Sequence, residues 1–251
     1  MIPVSIIILT KNEEKKIIDC LKNLKDFNEI IIIDDNSIDS TIEKIKSFDR
    51  TIKVIVKSLD GSFSGQRNHG LSMAKNEWVL FVDADEIISQ NLKKEIKETI
   101  SSTNADGLFI KRKDKFIGRE TGYGDLGNVW LLRLAKKNRA EWIGDVHEIM
   151  KVSGRTSNLK NPIIHSSHEN LSEFIGKLNQ YSSLRAAELN RHNAPSSFLL
   201  ITFMPLGKFF YLYVLKLGFL DGIYGFIHAI FMSMYTFLVQ SKLYQLKRND
   251  K

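Results

Sequence analysis

A chain of 251 residues accommodates one large domain, or one domain plus an appendage, and its Lys and Arg outnumber Asp and Glu by 36 to 29, for a net charge of +7 and a pI near 9.3. That balance suits a polyanionic ligand or an anionic membrane surface, but no basic region, zinc-finger spacing or aromatic RNA-binding signature accompanies it, so no nucleic acid partner is expected. A single cysteine, Cys20, excludes an internal disulfide framework and suits a reducing compartment.

The chain opens on MIPVSIIILTKNEE, which has no basic n-region or small-residue cleavage site and an apolar run too short to span a bilayer. It reads as a first strand of a cytoplasmic protein. The following NEEKKIIDCLKNL puts Ile17, Ile18, Leu21 and Leu24 on one helical stripe. Next, Ile30 to Ile33 form a second continuous apolar strand, an Asp-Asn-Ser cluster a turn, and Ser40 the cap of a helix carrying Ile42 and Ile45. TIKVIVKS is a third strand, a helix is expected over roughly residues 66–75, and WVLFV is a fourth strand. A further helix carries Leu92, Ile96 and Ile100. Continuous rather than alternating apolar strands, separated by helices, indicate a parallel sheet covered on both faces. Between residues 107 and 165 the short runs GLFIKRK, VWLLRLAK and PIIHSS read as antiparallel additions to it.

The acids of this region cluster where strands end. Asp83, Asp85 and Glu86 follow the fourth strand directly, and Asp34 and Asp35 follow the second. Ligands of open α/β sheets bind at that edge, which favours a site over solvated loop acids. An oxygen-rich acidic site on a basic protein suits a hard divalent cation that bridges carboxylate and phosphate.

Taken together, SIIILTKNEE, IIIDDNSIDST, GQRNHGLSMAKNEWVLFVDADE and WIGDVHE resemble the family 2 glycosyltransferases of GT-A fold, which act on a nucleotide-diphospho-sugar with inversion. The likeness covers residues 1 to about 170, and VWLLRLAKK, HENLSEFIGKLNQYS and GFLDGIYGF extend it toward the lipopolysaccharide core β-1,4-glucosyltransferases. It implies a Rossmann-like, mostly parallel mixed sheet with flanking helices over residues 1–170, and a helical region over 171–251. It further implies that Thr10, Asp34 and Asp35 line the nucleoside pocket and that Arg67 and Asn68 lie near the nucleotide. Asp83 would face the ribose or metal side, and Asp85 would ligate Mg²⁺ or Mn²⁺. Inversion by direct displacement needs a general base near the acceptor hydroxyl. Asp145, His147 and Glu148 compete for it; Glu148 is favoured and Asp145 second, the alternative being acids that simply start a helix. His165 is a candidate late ligand of the metal or diphosphate, although a histidine after an apolar strand is also a common structural residue. Lys177, Tyr181 and Arg185 share a helical face that would suit an anionic acceptor or phosphate, the alternative being a solvated helix face.

Composition changes after Ser196. Residues 196–241 carry three charged side chains, Lys208, Lys216 and Asp221, and 8 of the 15 phenylalanines. So large an apolar surface, followed by KLYQLKRNDK, fits helices that lie in or dip into the cytoplasmic face of a membrane rather than core helices. The partners expected are therefore a nucleotide-diphospho-sugar donor, a lipid-linked saccharide acceptor and the membrane surface. The rival readings are a sugar nucleotidyltransferase, whose glycine-rich phosphate loop is missing from LTKNEEKK, and a membrane-associated scaffold without nucleotide binding.

Overall fold

The computed structural model describes residues 1–60, 62–125, 129–144, 148–168 and 171–249. The chain forms two compact units, one of Met1–Arg112 with Val129–His165, the other of Lys113–Asn128 with Ser166–Lys251.

The first unit begins with β1 (Ile2–Thr10), α1 (Ile17–Asn23), β2 (Phe27–Asp34), α2 (Thr41–Phe48), β3 (Lys53–Val56), α3 (Phe63–Met73) and β4 (Trp78–Phe81). The four strands pair in parallel in the order β3-β2-β1-β4, so Thr10, Asp34 and Phe81 all end at one edge. The continuous apolar runs are explained by the alternation of a strand buried on both faces. Val4, Ile6, Ile8 and Ile32 enter a layer with Ile17, Leu21, Ile45, Leu92 and Ile96, while Ile7, Ile31 and Ile33 enter the opposite layer with Leu71, Val79 and Phe81. Helix α3 lies close on β1 because residue 70 is glycine: a Cβ there would sit 2.7 Å from Ile7 Cγ2.

The unit continues with β5 (Glu86–Ile88), α4 (Gln90–Ser102), β6 (Gly107–Phe116), β7 (Arg119–Glu120), β8 (Val129–Lys136), β9 (Ala140–Ile143), β10 (Ile149–Val152), β11 (Thr156–Asn158) and β12 (Ile163–His168), although β7 and the ends of β6 and β12 belong to the second unit. β8 pairs antiparallel with β4 and with β6, and β12 antiparallel with β5, which completes one mixed sheet with helices on its faces. β9 and β10 form a separate hairpin whose Trp142 and Met150 pack into the Ile7 layer.

The second unit holds α5 (Leu171–Arg191), α6 (Phe198–Phe210), a π-helical turn (Tyr211–Leu215), a 3-10 turn (Gly218–Asp221) and α7 (Ile223–Asn249). Its core is aromatic: Phe116 meets Phe174 edge-on at 5.4 Å, and Phe174 meets Phe231 at the same distance. The segment Lys113–Asn128 joins this unit through polar contacts, with Asp221 accepting from the Gly122 and Tyr123 amides (3.1 and 2.9 Å) and Lys208 bridging Asp125 at 2.7 Å. Phe198–Leu215 and Ile223–Arg248 are long and apolar enough to cross a membrane by length and composition, yet only 11% and 28% of an apolar 18-residue window in each is buried.

Candidate active site

The carboxyl edge of β1, β2 and β4 gathers the expected residues into three groups. At β1 and β2, Thr10 Oγ1 donates to Asp34 Oδ1 (3.0 Å), and the same carboxylate accepts from Ser37 N (2.8 Å) and Ser37 Oγ (2.6 Å). Asp34 thereby closes the turn after β2 and fixes its neighbour. Asp35 accepts from Leu59 N (2.8 Å) and Lys11 Nζ (2.7 Å). Burial opposes its charge, but those two donors outweigh burial and hold the carboxyl below the usual range. Because the Lys11 side chain is 61% exposed, that partner can yield to a ligand at little cost.

The second group centres on Asp83, immediately beyond β4. Arg133 Nη2 donates to its Oδ2 at 2.8 Å and Arg67 Nη2 to its Oδ1 at 3.2 Å. Burial would raise this carboxyl, but Arg133 and then Arg67 hold it far below the ordinary value. Arg67 also donates through Nε to Glu148 Oε1 at 3.0 Å, so one guanidinium joins the first acid of DAD to the favoured base. The guanidinium lies over the Trp142 ring at 4.5 Å, and Trp142 is edge-on to Phe81. Arg67 Nη1 is buried with no hydrogen-bond partner among the described residues. Asn68 accepts from Trp142 N (2.9 Å) and donates to Trp142 O (2.8 Å), which locks β9, and with it the indole, against α3.

Asp85 and His165 form the third group, with Nε2 at 3.4 Å from Oδ1. Burial opposes the Asp85 charge, but His165 outweighs it and lowers the carboxyl. The pairing follows from topology, because β12 runs beside β5 with His165 opposite Glu86. Glu86 itself is buried, accepts from Asp83 N at 2.9 Å, and is pushed up to about 7 by burial and by the Asp83 charge.

Asp83 gives its carboxylate to two guanidiniums, and that positive surround makes it a poor cation ligand. The Asn68 amide is engaged by the β9 backbone and clamps that strand. Arg67 is turned to carboxylates and an indole. Asp145, like His147, lies outside the described residues. Among the described residues no three His, Cys, Asp or Glu side chains gather as a preformed metal site, and Asp85 with His165 offers two donors. Two protein donors suit a cation whose remaining ligands are phosphate oxygens and water.

Arg133 was not singled out from sequence, and Glu86 was read only as one of the acids that follow the fourth strand. Both carried a signal: a charged residue inside the apolar run VWLLRL has to be buried against a partner, and Glu86 is the third acid after β4.

A mixed α/β sheet with carboxylates at the carboxyl edge of its parallel strands defines an α/β protein with its ligand site at that edge. Residues 5–154 match the family described as Glycosyl transferase family 2, and the chain belongs to that family. An uncharacterised glycosyltransferase of Rickettsia typhi (strain ATCC VR-144 / Wilmington) is 31% identical over 99% of this chain and 89% of its own. The lipopolysaccharide core biosynthesis glycosyltransferase LpsC of Rhizobium meliloti (strain 1021) is 28% identical over 97% of this chain and 93% of its own. Among solved structures, S. aureus TarS 1–349 in complex with UDP-GlcNAc is 18% identical, covers 98% of this chain and 92% of its own, and aligns with a TM-score of 0.49.

Proposed function

We propose that this protein is an inverting hexosyltransferase that moves a sugar, glucose in the first instance, from a UDP-sugar to a lipid-linked saccharide. The acceptor proposed is lipopolysaccharide core or a comparable surface glycan, at the cytoplasmic face of the membrane. Family membership and the LpsC relative support the class, and the exposed apolar helices support a lipid-linked acceptor. The observation that carries the reading is Arg67, which ties Glu148 to the acid that follows β4.

In this reading Asp35 takes the edge of the base, on a floor set by Thr10 and Asp34. Asp83, immobilised by Arg67 and Arg133, faces the ribose. Asp85 and His165 would hold Mg²⁺ or Mn²⁺, which supplies neutralisation of the charge on the departing diphosphate. The acceptor hydroxyl attacks the anomeric carbon as its bond to the diphosphate breaks, and Glu148 takes the hydroxyl proton. Arg67 engages Oε1 of Glu148; Oε2 bonds to none of the described residues and is the oxygen that would receive the proton. Asp145 is the second choice of base.

The test is a panel of UDP-, GDP- and dTDP-sugars with Mg²⁺ or Mn²⁺, following binding and hydrolysis in wild type, Asp85→Asn and Glu148→Gln. Metal-dependent binding of one nucleotide, weakened in Asp85→Asn and kept without turnover in Glu148→Gln, is the expected result. Folded wild-type protein that binds no nucleotide with either metal would sink the reading.

A further inference from the structure

The second unit carries two long exposed apolar stripes. On α6 and the turn after it, Leu199, Phe203, Leu206, Phe210 and Val214 recur at helical spacing and are 44–76% exposed together with their neighbours Phe198 and Met204. On α7, Ile223, Phe226, Ile230, Met234 and Phe237 do the same at 37–62%. An aqueous surface does not sustain so much contiguous hydrocarbon, and the aromatic content fits a bilayer boundary. Length alone would suggest that both helices cross it.

The hydrogen bonds at the helix ends argue otherwise. The turn between the helices is held by Asp221 to the Gly122 and Tyr123 amides, and the last turn of α6 by Lys208 to Asp125. Within the same unit, Phe174 and Leu178 of α5 form with Phe116 a cluster against which Tyr224, Ile227 and Phe231 of α7 pack, so the first half of α7 runs beside α5. At the other end of α7, Lys242 Nζ donates to Asn179 O and Oδ1, Ser182 Oγ and Ser183 Oγ at 2.7–2.8 Å, all on α5. Helix α5 has five charged residues in 21 and does not enter hydrocarbon. The 20 residues from Ile223 to Lys242, roughly 30 Å of helix, therefore begin and end on one aqueous side. A straight helix meets that condition only by lying along the surface. Close packing supports the same rigid corner: a Cβ on Gly225 would sit 1.9 Å from Gly218 O.

We infer that α6 and α7 form an in-plane anchor whose apolar stripes sink into the acyl–headgroup boundary of a phospholipid bilayer without crossing it. The inference rests on the membrane association proposed above and specifies its geometry. Lys216, Lys247 and Arg248 flank the stripes as cations suited to anionic headgroups.

The full chain is mixed with phosphatidylethanolamine vesicles, with and without phosphatidylglycerol, and depth is read from a fluorophore on Phe203→Cys, Phe210→Cys, Leu220→Cys or Met234→Cys with quenchers at the headgroup or the acyl-chain end. All four positions are expected at one shallow depth, with Leu220→Cys open to an impermeant thiol reagent added outside. Phe203→Ser with Phe210→Ser is expected to weaken vesicle binding about tenfold or more while the fold is kept. A graded depth from Phe203 to Leu220, or protection of Leu220→Cys from the outside reagent, overturns the in-plane geometry. Absence of vesicle binding, with the stripes buried in a stable dimer instead, overturns the lipid partner. None of these readouts needs turnover, so loss of the glycosyltransferase reading would show separately in the nucleotide panel.

Discussion

Arg67 makes two charge-assisted hydrogen bonds and stacks on an indole, a combination that depends on the planar fork of a guanidinium. Arg67→Lys keeps the charge but cannot reach Asp83 and Glu148 together. It is expected to lower kcat for transfer roughly 10–100-fold while donor KM changes little, as read from steady-state kinetics, because Glu148 loses its orientation. Glu86 gives a pH signature of stability. Its native carboxyl sits at about 7 against an ordinary 4.5, so the native state binds the proton more tightly. The Glu86 contribution is therefore fully present below about pH 4.5 and is lost as pH rises through 7. Burial pushes the His228 imidazole down to about 4, which acts in the opposite direction over part of that range. The Glu86 share is thus read as a difference between wild type and Glu86→Gln in urea unfolding at about pH 5 and pH 8. The wild type should lose stability relative to the variant as pH rises; a difference that does not change with pH would overturn the assignment. The acids at the strand ends were legible because strand endings and acids are both visible in a sequence. That Asp83 would be claimed by arginines was not, since Arg67 and Arg133 reach it across 16 and 50 residues of chain.

Glycine positions show how closely the elements approach, and they separate cleanly by substitution. At Gly225 an added Cβ meets the Gly218 carbonyl, a backbone atom that cannot rotate away. Gly225→Ala is expected to destabilise the protein by about 2–4 kcal/mol in thermal or urea melts. Gly176, exposed on α5 with nothing within 4 Å of an added Cβ, is expected to gain roughly 0.5–1 kcal/mol as alanine. Equal effects at the two sites would contradict the tight corner between the 3-10 turn and α7. Among the elements, β1, β2 and β4 were readable because burial on both faces leaves an unbroken apolar run. β5, β9 and β10 were not, since strands of three or four residues such as EII and AEWI carry too little pattern. Helix α3 starts at Phe63, ahead of the expected 66, because Ser62 Oγ accepts from Gly65 N and caps it inside a glycine-serine stretch that reads as loop. At α2 the cap position is Ser40 as expected, but the side-chain bond to Thr41 N comes from Asp39 instead.

At the scale of the whole molecule, a net charge of +7 and two exposed apolar stripes would serve different encounters in the proposed reaction. A nucleotide sugar is a soluble anion that arrives by diffusion and is drawn by the positive field. A lipid-linked saccharide is confined to a surface, and an enzyme bound in that surface meets it at a concentration set by area instead of volume. The proposed reaction should therefore follow surface dilution. With rough lipopolysaccharide in vesicles at fixed total amount, added phospholipid should lower the transfer rate roughly in proportion to the fall in surface density, as for any tethered pair. Hydrolysis of UDP-glucose by the same preparation should not change, because that step draws on the solution alone. A deacylated core oligosaccharide should escape the dilution effect while requiring a far higher concentration for the same rate. If transfer to the lipid-linked acceptor ignores added phospholipid, the acceptor is being taken from solution. The apolar stripes would then position something other than the substrate, and a soluble saccharide would replace the lipid-linked one as the acceptor.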